Sequence, residues 1–177
     1  MRILLIICFF CVSHAIQAIQ DNVRYLHLPN AIGVICMGFA DTSKICNRLI
    51  IPDSILVNGE NMPVYLIQAY AFCFRKDLQY VKLPNTLQYI VSNTFADCEN
   101  LDSVYIPASV KTINSDAFDN SNLISINVSP QNPYYDSRDN SHAIIDSKTN
   151  ELLVGSASST IPASVTKLRE KAFSNRI

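Results

Sequence analysis

Between residues 78 and 118 the apolar side chains follow a pattern that comes back at a fixed interval. Leu78, Val81, Leu83, Leu87, Ile90 and Phe95 are answered by Leu101, Val104, Ile106, Val110, Ile113 and Phe118, each 23 residues later. Phe72, Phe95 and Phe118 keep the same interval, and so do Pro84, Pro107 and Pro130. The last segment repeats the frame as Ile161, Pro162, Val165, Leu168, Ala172 and Phe173. A period of this length is the mark of a solenoid, in which one small structural unit stacks on the next. Within a unit, Leu-x-x-Val-x-Ile reads as a short strand, closed by a proline that has no N–H to continue a ladder. The following Ser-Val-x-x-Ile-x-x-x-Ala-Phe points apolar side chains back from an opposite wall. No unit buries both walls alone, so the expected fold is a mainly β repeat solenoid: a short right-handed stack sharing one continuous core.

Outside the period the pattern changes. Residues 19–62 read as an N-terminal β cap, with Arg24-Tyr25-Leu26-His27-Leu28 and Arg48-Leu49-Ile50-Ile51-Pro52 as strands. A cap keeps the apolar edge of the first coil and its unpaired strand from solvent. Asn58-Gly59, between Ile55 and Ile67, is a hairpin-turn dipeptide and predicts a small hairpin extension. The repeats are assigned to residues 63–177. They are interrupted over about 131–159 by a predicted hairpin with Ala143-Ile144-Ile145 and Leu152-Leu153-Val154 as its strands. The closing Phe173-Ser174-Asn175-Arg176-Ile177 stops where a further strand would follow, so truncation at the C-terminal edge is expected.

The N-terminus is read apart from the fold. Arg2 precedes an apolar run from Ile3 to Val12, and small residues follow, which predicts a secretory leader over residues 1–18. Ser13-His14-Ala15 and Ile16-Gln17-Ala18 both offer a cleavage site, after Ala15 or after Ala18. The run is short for a membrane span, so none is expected once the leader is removed. The protein is therefore expected to be secreted or on the cell surface.

Composition and charge narrow the function. With 49% hydrophobic and 16% charged residues the chain is expected to fold. A net charge of -1 without a Lys/Arg cluster argues against nucleic acid and anionic membranes as partners. Cys36, Cys46, Cys73 and Cys98 remain after the leader; Cys36 and Cys46 are the candidate disulfide, and no CxxC or His-rich spacing suggests zinc. Cys98, three residues after Phe95, is read as a buried ladder thiol. Asp136, Asp139, His142 and Asp146 form the densest acid and histidine group, but Asp and Asn are favoured in turns and no calcium-loop pattern is complete, so no metal is assigned. The three histidines are scattered, and there is no nucleophile elbow or phosphate loop; neither an enzyme nor a cofactor is expected.

Ile106-Pro107-Ala108-Ser109-Val110, Ala117-Phe118 and Phe95-Ala96-Asp97-Cys98-Glu99-Asn100-Leu101 resemble the BspA-like leucine-rich repeats of surface proteins from host-associated bacteria and some protozoa. Asn132-Pro133-Tyr134-Tyr135-Asp136 is similar to that family's insertion. One departure stands out: the family often has Gly after the inward Ile, where this chain has Gln68, Val91, Asn114 and Arg169. Asn tolerates a left-handed turn there and Val91 does not readily.

On the strands, inward positions are committed to the core, which leaves the outward positions for recognition. They fall in three columns: Gln79, Asp102 and Ile124; Tyr80, Ser103 and Ser125; Lys82, Tyr105 and Asn127. Tyr80 and Tyr105 combine contact area with a hydrogen-bonding tip, or else simply pair across strands. The resemblance implies a protein-binding module for adhesion to host proteins or other cells. The alternatives are a spacer that displays a domain missing from this chain, or a truncated non-functional copy. Asn127-Val128-Ser129 is a glycosylation sequon only in a eukaryotic host.

Overall fold

A computed structural model describes residues 15–174. The leader expected over residues 1–18 falls outside the described residues up to residue 14, while Ile16, Gln17 and Ala18 begin a strand. Strands β1 (Ile16–Gln20), β2 (Val23–His27) and β3 (Val34–Phe39) form an antiparallel meander. After β4 (Arg48–Ile50), β5 (Ser54–Val57) and β6 (Glu60–Ile67) make the hairpin expected at Asn58-Gly59. The periodic region contributes β7 (Tyr80–Lys82), β8 (Tyr89–Ile90), β9 (Ser103–Ile106), β10 (Thr112–Ile113) and β11 (Ser125–Val128). The chain then forms β12 (Tyr135–Asp136), β13 (Ile144–Asp146), β14 (Glu151–Val154) and β15 (Lys167–Leu168).

The periodic strands divide between two walls. One sheet runs β11-β9-β7-β4, all parallel; the other runs β1-β2-β3-β6-β8-β10, with β5 attached to β6. Each coil thus places its first strand in one sheet and its second in the other. The register advances by 23 residues from Tyr80 to Ser103 and from Tyr89 to Thr112, and by 22 from Ser103 to Ser125. Although the sequence groups Arg48-Leu49-Ile50 with the N-terminal strands, β4 pairs in parallel with β7 and extends the repeat sheet. The boundary placed at residue 62 lies within β6, whose first half belongs to the hairpin and whose second half joins the wall.

Parallel strands lie about 4.8 Å apart, so a residue that recurs in register must stack on its own copies. The phenylalanines do this. Phe72 and Phe95 are 5.5 Å apart with planes 11° from parallel, and Phe95 and Phe118 are 5.6 Å apart at 8°. Phe39 meets the end of the stack edge-on at 5.1 Å, carrying it into the N-terminal sheet. Phe72, Phe95 and Phe118 are fully buried, with Leu49, Val81, Val104 and Ile126 on one wall and Ile67, Ile90 and Ile113 on the other.

The prolines close the strands through turns of one kind. The N–H of Leu87, Val110 and Val165 donates to the carbonyl of Pro84, Pro107 and Pro162, three residues earlier. The hydroxyl within the turn also reaches the preceding coil: Thr86 donates to Val64 O and Ser109 to Leu87 O. Left-handed backbone occurs at Tyr70 and Asn93, and at Phe74, Asp97 and Asn120. It is absent from positions 68, 91, 114 and 169, so Val91 is free of the strain that a left-handed turn would impose. Gly38 shows the opposite need: its φ is +99°, and an added Cβ would lie 2.2 Å from Ala71 O.

The excursion after Pro130 is fastened to the stack by Asn132, which is buried and spends all its hydrogen-bonding capacity. Its Nδ2 donates to Pro107 O and Val110 O, both at 2.9 Å, and its Oδ1 accepts the N–H of Tyr134 and Tyr135. Tyr135 then accepts the Ile113 N–H on its hydroxyl, covering the edge of β10. The expected hairpin is β13 and β14, extended by β12 and β15 into a third sheet. At the same frame positions Ile161 and Leu168 are 54% and 48% exposed, whereas Leu83 and Ile90 are buried.

Two substitutions test these fastenings by urea unfolding. Phe95→Ala removes the middle ring of the stack and should lower stability by about 3–5 kcal/mol. Asn132→Ala removes four hydrogen bonds, those to Pro107 O, Val110 O and the N–H groups of Tyr134 and Tyr135, and should lower it by at least about 2 kcal/mol; exposed Gln131→Ala should stay within about 0.5 kcal/mol.

Candidate functional site

The outward face of β4, β7, β9 and β11 is built by alternation. Leu49, Val81, Val104 and Ile126 point inward, so their neighbours in each strand point out. The register aligns Arg48, Tyr80, Ser103 and Ser125 in one column. It pairs Ile50 with Lys82 and Tyr105 with Asn127 in the next. Beside them, the Asp102 N–H donates to Gln79 O and the Ile124 N–H to Asp102 O, which brings Gln79, Asp102 and Ile124 side by side. All eight binding residues expected from the sequence therefore share this face. Arg48 and Ile50 were missed. Their signal was Leu49-x-Ile51-Pro52, the same spacing as Val81-x-Leu83-Pro84, hidden because a 32-residue offset replaces the period.

The two tyrosines differ. Tyr80 is half-buried beneath the Arg48 guanidinium, 4.0 Å from its ring centre, and works as a cross-strand partner. Tyr105 is 52% exposed and shares the face with two other exposed apolar side chains, Ile50, at 49%, and Ile124, at 53%. Exposed Lys82, Gln79 and Asp102 are interleaved with them, Lys82 on the strand between Ile50 and Tyr105 and Asp102 beside Ile124. At the far edge, Ser125 Oγ lies 3.0 Å from His142 Nδ1 and accepts Asn127 Nδ2, so the excursion supplies a rim to the face.

At the other end of this wall a clasp holds the 41–47 loop. The Arg75 guanidinium lies 4.2 Å over the Phe39 ring and donates to Thr42 O and Lys44 O. Asp77 accepts two hydrogen bonds from Arg75 and one from the Cys46 N–H. These hydrogen bonds hold the Asp77 carboxyl down at about 2.

The acid and histidine group of the excursion is occupied locally. Asp136 accepts from Arg138 and from Ser147 Oγ. Asp146 accepts the N–H of Lys148 and Thr149. Asp139 is exposed and His142 contacts Ser125. Among the described residues no group of three or more His, Cys, Asp or Glu is arranged to hold a metal.

Cys36, Cys46, Cys73 and Cys98 are free thiols, so the bond anticipated between Cys36 and Cys46 is not made in this structure. Cys36 is fully buried in β3, and burial pushes its thiol up to about 12. Cys46 lies in the clasped loop, with its sulfur directed at Arg48 O. Cys98 is buried with its thiol at Phe72 O, the ladder position expected for it, and Ser121 holds Phe118 O one coil later. An open cleft of about 380 Å³ lies between Asn93, Asp116 and Asp119 on one side and Arg169, Glu170 and Lys171 on the other. Its lining mixes both signs of charge, and Arg169 is engaged with Ser115 O and faces Asp119.

Residues 65–150 match a model described as the BspA type leucine rich repeat region, in six copies. The fold is similar to a leucine-rich repeat protein from Eubacterium ventriosum, with a TM-score of 0.55 and 14% identity over 91% of this chain and 57% of that one. It is also similar to the pneumococcal vaccine antigen PcpA, with a TM-score of 0.51 and 13% identity over 89% of this chain and 61% of that one. The chain thus spans about three fifths of each of these two structures. No curated protein matches it.

The Asp77 clasp carries a pH signature. Its carboxyl is held below the ordinary 3.8, so its contribution is present above that value and is lost as pH falls towards about 2. In Asp77→Asn, unfolding followed from pH 4 to pH 2 should show a smaller loss of stability than in the parent. An unchanged slope would mean that the clasp is not strained by acid.

Proposed function

Since residues 65–150 belong to the BspA-type leucine-rich-repeat family, we propose that this chain is a secreted or surface-displayed module that binds a protein partner through the outward face of β4, β7, β9 and β11, in adhesion to host proteins or other cells. The observation that carries the reading is the exposure of Tyr105, Ile50 and Ile124 on this one face, interleaved with exposed Lys82, Gln79 and Asp102. An exposed tyrosine and two exposed aliphatic side chains among polar ones give the face the aromatic and apolar contact area that interaction surfaces use. These side chains lie on parallel strands whose opposite side is core, so the backbone beneath them is already ordered before binding. That lowers the entropy lost on association. Repeats of this kind keep the frame constant and vary the outward residues, which is how one fold serves many partners.

Capture from a panel of purified extracellular-matrix and cell-surface proteins tests the reading. The parent chain should bind at least one of them. Lys82→Ala combined with Tyr105→Ala should then weaken that binding by roughly 30-fold or more, the scale of one hot spot. Both side chains are exposed, so the unfolding temperature should stay within about 3 °C of the parent. Binding by the double variant equal to the parent's would remove this face from the account. Tyr80 is left intact in the test because it supports Arg48 as well as facing outward.

A further inference from the structure

The leader and the fold meet at residues 15–20. We propose that a secretory leader peptidase cuts the chain between Ala15 and Ile16, so that the mature protein begins with strand β1. This rests on the reading of the chain as secreted. In the cut, water adds across the Ala15–Ile16 amide: its hydroxyl joins the Ala15 carbonyl carbon and its proton goes to the Ile16 nitrogen, leaving a carboxyl on the leader and an amine on the mature chain.

Two observations choose Ala15 over Ala18. The first is what each cut leaves behind. Strand β1 is paired along its whole length with β2, from Ile16 opposite His27 to Gln20 opposite Val23. Ile16 and Ala18 are packed against the main core. A cut after Ala18 removes both and three of the five paired residues. It would leave β2, with buried Tyr25, at the sheet edge for most of its length. A cut after Ala15 removes none of this.

The second observation is the turn. Asp21 and Asn22 both have left-handed backbone, with φ of 50° and 65°, and connect Gln20 to Val23 as a two-residue hairpin loop. That geometry matches the twist of the strands and needs residues that accept positive φ, as Asp and Asn do. Asn22 is further pinned, its Nδ2 donating to Asp41 O and its Oδ1 accepting the Asp41 N–H. A hairpin turn so specified is of use only with both strands present, so β1 belongs to the finished fold. The peptidase's own requirement agrees: it needs small side chains one and three residues before the cut. Ala15 and Ser13 meet it, whereas a cut after Ala18 would place Ile16 at the outer position.

The full chain expressed in a host that exports it, with the N-terminus of the exported protein read by sequencing and intact mass, tests the proposal. The expected terminus is Ile16. Ala18→Leu should leave that terminus unchanged, because Ala18 is not used by the cut, whereas Ala15→Leu should abolish it. A terminus at Ile19 would overturn the cut site and leave the leader standing. Retention of Met1 in the parent chain would overturn the leader as well.

Discussion

The constraint on which everything else depends is that one coil has two apolar walls and no means of covering both. Each 23-residue unit turns Leu, Val and Ile inward from two short strands and a Phe from the bend that follows the second. Only the coil above and the coil below complete the burial. Parallel pairing about 4.8 Å apart fixes what meets what, so the Phe72, Phe95 and Phe118 rings lie face to face at 5.5 and 5.6 Å. The stack then reaches Phe39 and thereby ties the antiparallel N-terminal strands to the parallel ones. A solenoid of this size has its stability in interfaces between units rather than in the units themselves.

Interruptions are tolerated where they return the chain to that frame. The hairpin of β5 and β6 ends by placing Val64 and Ile67 in the wall, beside Val34 and Cys36 of β3. The longer excursion after Pro130 begins with Asn132, whose four hydrogen bonds substitute for a turn of the ordinary coil, and with Tyr135, which covers the edge of β10. The same excursion delivers His142 to Ser125, so the device that fastens it also shapes the rim of the candidate binding face.

Much of this was legible in the sequence because periodicity is a geometric statement: positions that recur in register must stack. The inward ladder, the outward columns, the Asn58-Gly59 hairpin and the strands Ile144–Asp146 and Glu151–Val154 all follow from pattern alone. What the pattern hid was pairing across unequal spacing. Leu49-x-Ile51-Pro52 has the strand frame, but the hairpin inserted after it breaks the interval, so the membership of Arg48 and Ile50 in the outward face required the register itself. Arg75 was equally hidden. Nothing local to it announces that its guanidinium would lie over Phe39, 36 residues earlier, and hold the 41–47 loop. The left-handed positions were misplaced because the family's glycine marks one turn geometry, and this chain bends instead at Tyr70, Asn93 and Asp97.

The face proposed for binding gains its rigidity from the same stacking, so recognition and stability have one physical origin. The most direct measurement is native-state hydrogen exchange at amides that bridge successive coils. These include Phe72 to Thr94 O, Phe95 to Ala117 O, Asp102 to Gln79 O and Ile124 to Asp102 O. If the coils exist only through their shared core, these amides should open together, with one free energy and one dependence on denaturant. Opening of Ile124 and Asp102 at low denaturant, while Phe72 stays protected, would show coils that stand independently and would contradict the account.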